Sequence, residues 1–182
     1  MQLNVPYLKK GNIPEELVDE LLSNINSEHW YINSARNSMS KLENTQSIIM
    51  RYFSDYQKMR EDSSNFLRYI TDFSIYDHYR PVINKIKLEL LKHYEYKNYI
   101  MFLAKLPPYK NIGTHRDSSP FLETCHRIHI PIKTNSQVDY IIENTPYYWE
   151  KYGIYEFDNT RPHSVTNNSS EDRIHLMFNL YK

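Results

Sequence analysis

Thr114-His115-Arg116-Asp117 sets an imidazole and a carboxylate two positions apart at the end of an extended run, close enough to share one metal ion. A third donor, His163, follows in Asn159-Thr160-Arg161-Pro162-His163, and Arg173 comes ten residues after it. Two histidines and one carboxylate on one face of an octahedral ion form the ligand set of non-haem Fe(II) oxygenases, which leaves three positions for a cosubstrate and O₂. A small dicarboxylate such as 2-oxoglutarate chelates iron through its 1-carboxylate and 2-oxo group, and its far carboxylate then needs a fixed two-pronged donor. The planar fork of an arginine suits that task better than a lysine ammonium, and Arg173 is the candidate. The order H-x-D, then His, then Arg is more specific than any one of its parts.

Strands must position these side chains. From Asn98 onward the chain reads as short β-rich runs at 98–106, 111–115, 126–132, 137–143, 153–157, 162–166 and 173–181, separated by Pro, Asn, Ser and Gly. Many short strands without intervening helices predict a sandwich or closed barrel, not a parallel βαβ sheet. Alternation places Ile128, Ile130 and Ile132 on one face of their strand and Arg127 and His129 on the other. Likewise Ile174, Leu176, Phe178 and Leu180 share a face, so Arg173, His175 and Met177 look the opposite way. Two strands thus each present an Arg and a His to a common interior. Asn167-Asn168-Ser169-Ser170 has turn chemistry, and a hairpin centred on Asn168 would make His163 and Arg173 cross-strand partners.

The first half reads differently. Asn12 and Pro14 open a helix whose Leu17, Val18, Leu21, Leu22 and Ile25 recur at helical spacing, and a second helix is predicted to follow Pro81, with Val82, Ile83, Ile86, Leu90 and Leu91 on one face. Gln46–Phe53 reads as a strand, while 27–45 and 54–78 fit no single period.

The 182 residues fit one domain, with a helical part over about 1–95 and a β-rich catalytic part over about 96–182. Its 22 Lys+Arg balance 22 Asp+Glu, so the net positive field that accompanies nucleic-acid binding is lacking. Cys125 is the sole cysteine, which excludes a disulfide scaffold and points to a reducing cytoplasm. The opening Met1–Pro6 has no basic-then-apolar leader, and no run approaches the ~18 apolar residues of a membrane span. The 17 tyrosines can fill a core despite a mean hydropathy of −0.71, because a phenol ring buries its body and keeps its hydroxyl bonded.

IGTHRD at 112–117, HRIHIPIKTN at 126–135 and GIYEFDNTRPHSVTNNSSEDRIHLMFNLY at 153–181 resemble the aspartyl/asparaginyl β-hydroxylase family of 2-oxoglutarate-dependent oxygenases, which includes bacterial cis-proline hydroxylases of similar length. The resemblance implies iron on His115, Asp117 and His163, and the far carboxylate of 2-oxoglutarate on Arg173. It sets Arg127 and His129 where the family keeps an R-x-H pair that serves the cosubstrate or a substrate carboxylate. Asp117, which the vertebrate members lack, makes the chain more similar to the bacterial amino-acid hydroxylases and favours hydroxylation over halogenation. Pattern and resemblance together predict a mainly β, double-stranded β-helix: a cupin-like jelly-roll with the N-terminal helices packed on one sheet and iron at the barrel mouth. The activity expected is hydroxylation of a free, proline-like amino acid or of an Asp/Asn side chain in a protein, with Fe(II), 2-oxoglutarate and O₂. A small-molecule or peptide is the partner, and neither nucleic acid nor membrane is expected.

Two alternatives use the same residues. A Zn²⁺ hydrolase or isomerase of the cupin type could employ His115, His163 and His129, and a non-catalytic β-sandwich could carry its histidines for structure alone. His126 reads as a surface or packing histidine, His175 as pocket-lining or interior, and His29, His78 and His93 as structural. Cys125 reads as a small buried hydrophobe. Tyr147-Tyr148-Trp149 and Tyr152 read as core or lid.

Overall fold

A computed structural model describes residues 3–32, 42–117 and 119–182. In chain order, β1 (Tyr7–Asn12), α1 (Glu15–Ser23), β2 (Gln46–Phe53), α2 (Tyr56–Glu61), β3 (Ile70–Asp72) and α3 (Ile75–Leu91) precede β4 (Asn98–Leu106). Then come β5 (Asn111–His115), α4 (Pro120–Glu123), β6 (His126–Lys133), β7 (Val138–Ile142), β8 (Thr145–Tyr147), β9 (Gly153–Phe157), β10 (His163–Asn167) and β11 (Arg173–Tyr181). Residues 33–41 of the stretch without a clear period lie outside the described residues; the rest of 27–45 and 54–78 forms short 3-10 turns, α2, β3 and the start of α3.

The strands form two antiparallel sheets. The larger has the order β1-β9-β6-β11-β4-β2-β3 and the smaller β5-β10-β7-β8. This is a two-layered jelly-roll and not a closed barrel, so the expected barrel mouth is the space between two sheets. On the outer face of the large sheet, Ile128, Ile130, Leu176, Phe178 and Leu180 pack with Val18 and Leu21 of α1 and Val82, Ile83 and Ile86 of α3. The helices cover one sheet as expected. Between the sheets, Leu106, Tyr155 and Phe157 of the large sheet meet Val138, Tyr140, Ile142 and Val165 of the small one. Among the described residues no helix is long and apolar enough to cross a membrane.

Two expectations are corrected. The second helix does not follow Pro81 but contains it, starting at Ile75, and Leu91 is exposed. Tyr76 and Tyr79, fully buried in the turns around it, outweigh the one hydrogen bond that proline forgoes. The chain from β10 to β11 is not a hairpin either. β10 pairs with β5 and β7, whereas β11 pairs with β4 and β6, so His163 and Arg173 are not cross-strand partners and belong to different sheets. Asn167, fully buried, steers the crossing: its Nδ2 donates to the carbonyls of Leu106 (3.1 Å), Pro107 (3.1 Å) and Glu171 (2.7 Å). Turn chemistry is local and does not reveal which sheet receives the next strand. Asn167→Ala is expected to strand those carbonyls and lower stability by about 2–4 kcal/mol, read as a reduced urea midpoint at unchanged slope.

Candidate active site

His163 of β10 lies directly opposite His115 of β5, so the two imidazoles project side by side with ring centroids 4.2 Å apart. Each Nδ1–H donates to a nearby carbonyl at 2.8 Å, His115 to Gly113 and His163 to Arg161. Because a carbonyl only accepts, these bonds fix the tautomer that leaves both Nε2 lone pairs free to bind a metal. Asp117 joins them from the loop after β5, where its backbone N–H donates to Asn159 O at 2.9 Å. Asp117 Oδ1 sits 3.7 Å from His115 Nε2, and one ligand atom from each of His115, Asp117 and His163 lies within 4.8 Å of the others. The loop that delivers His163 is stiffened by buried Asp158, which accepts from Thr160 Oγ1 (2.7 Å) and Arg161 Nε (3.1 Å).

A cavity of about 340 Å³ opens over this trio, and Arg127, His129 and Arg173 of the large sheet complete its lining. Arg173 is buried over the Tyr140 ring, 5.0 Å from its centroid, and donates to His175 Nδ1 at 2.8 Å. Its Nε has no partner, and no carboxylate pairs with it among the described residues. Burial accordingly lowers its pKa from the usual guanidinium value. A buried cation without an anion is costly, and a ligand carboxylate would relieve it. Arg127 stands at the other end: Nη1 donates to Asn179 Oδ1 at 2.7 Å, and Nη2 lies 3.7 Å from Asp117 Oδ2. His129 lies edge-on to Trp149 and Phe157.

Burial pushes the His163 imidazole down to about 4, and it holds His175 well below the usual range, helped by the neighbouring Arg173 charge. In an unfolded chain both would take up a proton near ~6.5. Between that value and about 4 the unfolded state therefore binds more protons, and stability rises with pH. The metal-free protein is expected to lose on the order of several kcal/mol between neutrality and about pH 4.5, read as a falling urea midpoint, and His163→Gln is expected to flatten that slope.

All six residues singled out in the sequence, His115, Asp117, His163, Arg127, His129 and Arg173, line this one cavity. His175 is fully buried against Tyr140 and Arg173 and is an interior histidine. His126 faces the helix side and meets Glu156 at 2.6 Å, while His29 and His78 bond Tyr79 and the Asn24 carbonyl. Cys125 is buried, which pushes its thiol up to about 11 and leaves it a packing residue. Trp149 is core, stacked on Tyr140 and Tyr155; Tyr148 is exposed. Asn179 and Asp158 were not anticipated. Extending the alternation of β11 by one more step from Met177 finds Asn179, whereas no short-range signal marks Asp158.

The family model described as Aspartyl/Asparaginyl beta-hydroxylase matches residues 81–182. No curated protein gives a significant sequence match. Among solved structures, a Pseudomonas putida prolyl-4-hydroxylase superposes with a TM-score of 0.54 at 12% identity, covering 98% of this chain and 94% of that one. The viral collagen prolyl hydroxylase of Paramecium bursaria Chlorella virus-1, in its 2OG complex, gives 0.55 at 11% identity over 98% of both chains. A 2OG-Fe(II) oxygenase family oxidoreductase from Burkholderia pseudomallei gives 0.53 at 9% identity, over 74% of this chain and 66% of that one. These likenesses establish a common fold. The family match spans more than half of the sequence, and the chain belongs to the aspartyl/asparaginyl β-hydroxylase family of 2-oxoglutarate-dependent hydroxylases.

Proposed function

We propose that this protein is an Fe(II)- and 2-oxoglutarate-dependent dioxygenase that hydroxylates an amino acid, free rather than within a protein, in a single catalytic domain. One observation carries the reading: two tautomer-fixed imidazoles and a carboxylate converge within 4.8 Å, across a shared cavity from a buried arginine that has no acid beside it among the described residues. His115, Asp117 and His163 would hold Fe(II), and Arg173 the far carboxylate of 2-oxoglutarate. When bound, the iron, cosubstrate and O₂ supply the oxidising power that places a hydroxyl on a carbon of the substrate.

The chain's own residues orient and enclose. His115, Asp117 and His163, which would hold the iron, lie on the small-sheet side and face Arg127, His129 and Arg173 of the large sheet across the cavity. Tyr140 underlies the guanidinium of Arg173 and Trp149 backs Tyr140, which excludes water from the cosubstrate end. His129, on the strand position between the two arginines, serves the cosubstrate. Arg127 serves the substrate. Its register partner Asn179 lies six positions along β11 from Arg173, roughly 20 Å at ~3.3 Å per residue, too far for both to clamp one small carboxylate.

Anaerobic addition of Fe(II) and then 2-oxoglutarate tests the proposal. A visible metal-to-ligand charge-transfer band is expected; its absence from a folded preparation overturns the reading.

A further inference from the structure

Trp149 is 1% exposed, yet its indole N–H meets no acceptor among the described residues. A phenylalanine would fill most of that space without burying an unpaired donor, so packing alone does not account for the residue. Its contacts link the cavity to the surface. Tyr140, on the cavity wall, stacks on the indole with centroids 4.3 Å and planes 22° apart, and Phe157, also on that wall, touches both Trp149 (5.7 Å) and His163 (4.8 Å). Tyr155 stacks on the indole at 5.1 Å and 9°, and Tyr7 of β1 meets it edge-on at 5.7 Å. Tyr7 is half-buried and packs against half-buried Tyr147 at 5.2 Å.

In register Tyr140 faces Val165, so it lies diagonally from His163, with ~7–8 Å between the two residues. Tyrosine and tryptophan rings give up one electron far more readily than phenylalanine. A chain of oxidisable rings in contact therefore leads from the wall beside the iron ligands toward solvent. Fixed charges set its direction. The Arg173 guanidinium lies 5.0 Å from the Tyr140 ring centroid and Lys9 Nζ 5.9 Å from that of Tyr155, and each cation disfavours an electron deficiency on the ring it covers. Among the described residues no cation covers Trp149 in this way. Tyr7, at the surface, can shed its phenolic proton to water as it is oxidised, which a ring buried as deeply as Tyr155 cannot.

We propose that Trp149 is an electron relay, with Tyr7 as its outlet, that discharges the iron site when oxidising power forms with no substrate in place. The proposal rests on the dioxygenase reading for its oxidant. Cleavage of 2-oxoglutarate by O₂ to succinate and CO₂ leaves two oxidising equivalents and one oxygen atom at the iron, which a bound substrate takes up as a hydroxyl group. Without substrate, two electrons, and two protons drawn from solvent, return the metal to Fe(II) and release that oxygen as water. Trp149 gives one electron and stays a radical cation, since no acceptor takes its N–H proton. Tyr7 then reduces it and loses a phenolic proton to water. A small-molecule reductant such as ascorbate restores Tyr7 with one electron and one proton, and a second passage completes the discharge.

Freeze-quench electron paramagnetic resonance tests it. The protein loaded with Fe(II) and 2-oxoglutarate, mixed with O₂ in the absence of substrate and reductant, is expected to give a tyrosyl or indole radical signal. Trp149→Phe is expected to lose that signal. Tyr7→Phe, which keeps the ring and removes only the hydroxyl, is expected to replace the tyrosyl component with an indole one at unchanged 2-oxoglutarate affinity, and it decides the matter should Trp149→Phe fold poorly. Peptide mapping after such turnover is expected to place added oxygen on Trp149 and Tyr7 in the wild type and on residues around the metal in Trp149→Phe. No organic radical in the wild type, the same radical in the wild type and both variants, or damage confined to the metal's neighbours in the wild type would each overturn the proposal. Hydrogen peroxide added to the Fe(II) protein without cosubstrate supplies the oxidant by another route, so the relay is read even where 2-oxoglutarate is not consumed. Absence of succinate release counts against the dioxygenase reading alone.

Discussion

Arg173→Ala is expected to weaken 2-oxoglutarate binding roughly 30- to 5,000-fold, the equivalent of the ~2–5 kcal/mol lost when one partner of a buried, hydrogen-bonded charge pair is truncated. The guanidinium already lies within the sandwich, stacked on Tyr140 and bonded to His175, with no acid to neutralise it among the described residues. Its desolvation is therefore borne by the ligand-free protein and recovered when a carboxylate arrives. Two corollaries separate this from a purely structural arginine. Arg173→Met, which keeps the volume and removes the charge, is expected to melt at or above the wild-type temperature without cosubstrate and to gain nothing when cosubstrate is added. Arg173→Lys is expected to recover only part of the affinity, because an ammonium cannot offer two parallel donors to one carboxylate. An Arg173→Ala protein with undiminished cosubstrate affinity would instead favour a cupin-type hydrolase, whose chemistry needs no such anchor.

Asp117→Ala and His163→Ala are each expected to abolish stoichiometric iron retention and reduce succinate release to below about 1% of wild type. Removing a partner that merely orients a ligand costs about 10–100-fold, and these two residues are ligands themselves. The aspartate change has a second effect, since Arg127 loses the carboxylate 3.7 Å from its Nη2. Metal content after desalting reads the first loss and coupled succinate detection the second. His126→Ala provides the contrast: it faces Glu156 on the helix side of the large sheet, and iron retention there is expected to match wild type.

Much of the candidate site is legible in the sequence because its signals are local. H-x-D fixes a two-residue separation, and strand alternation alone puts Arg127 with His129 and Arg173 with His175 on the inner face, where the structure has all four buried. Strand bounds at 98–106, 111–115, 153–157 and 173–181 coincide with the sequence reading, since Pro-Pro, Gly and Asn punctuate them. What was not legible depends on pairing at a distance. Tyr7–Asn12 becomes a strand only because it adds to the edge of β9, and Ile70–Asp72 only because it pairs with Arg51–Phe53. The supposed hairpin at Asn168 failed for the same reason: β10 finds His115 across from His163, a partner 48 positions away, and β11 goes to β4 and β6. The Ile75 start of α3 was hidden by reading Pro81 as a boundary, when tyrosine burial carries the helix through it.

The crossing at Asn167 leaves the would-be iron ligands on one layer and the keto-acid anchor on the other. A cosubstrate held at both ends would then act as a rivet through the sandwich, joining layers otherwise tied by side-chain packing and a few connecting loops. Iron alone grips a single layer, so the pair together should raise the melting temperature by more than the sum of their separate increments, and each should tighten the hold on the other by the same factor.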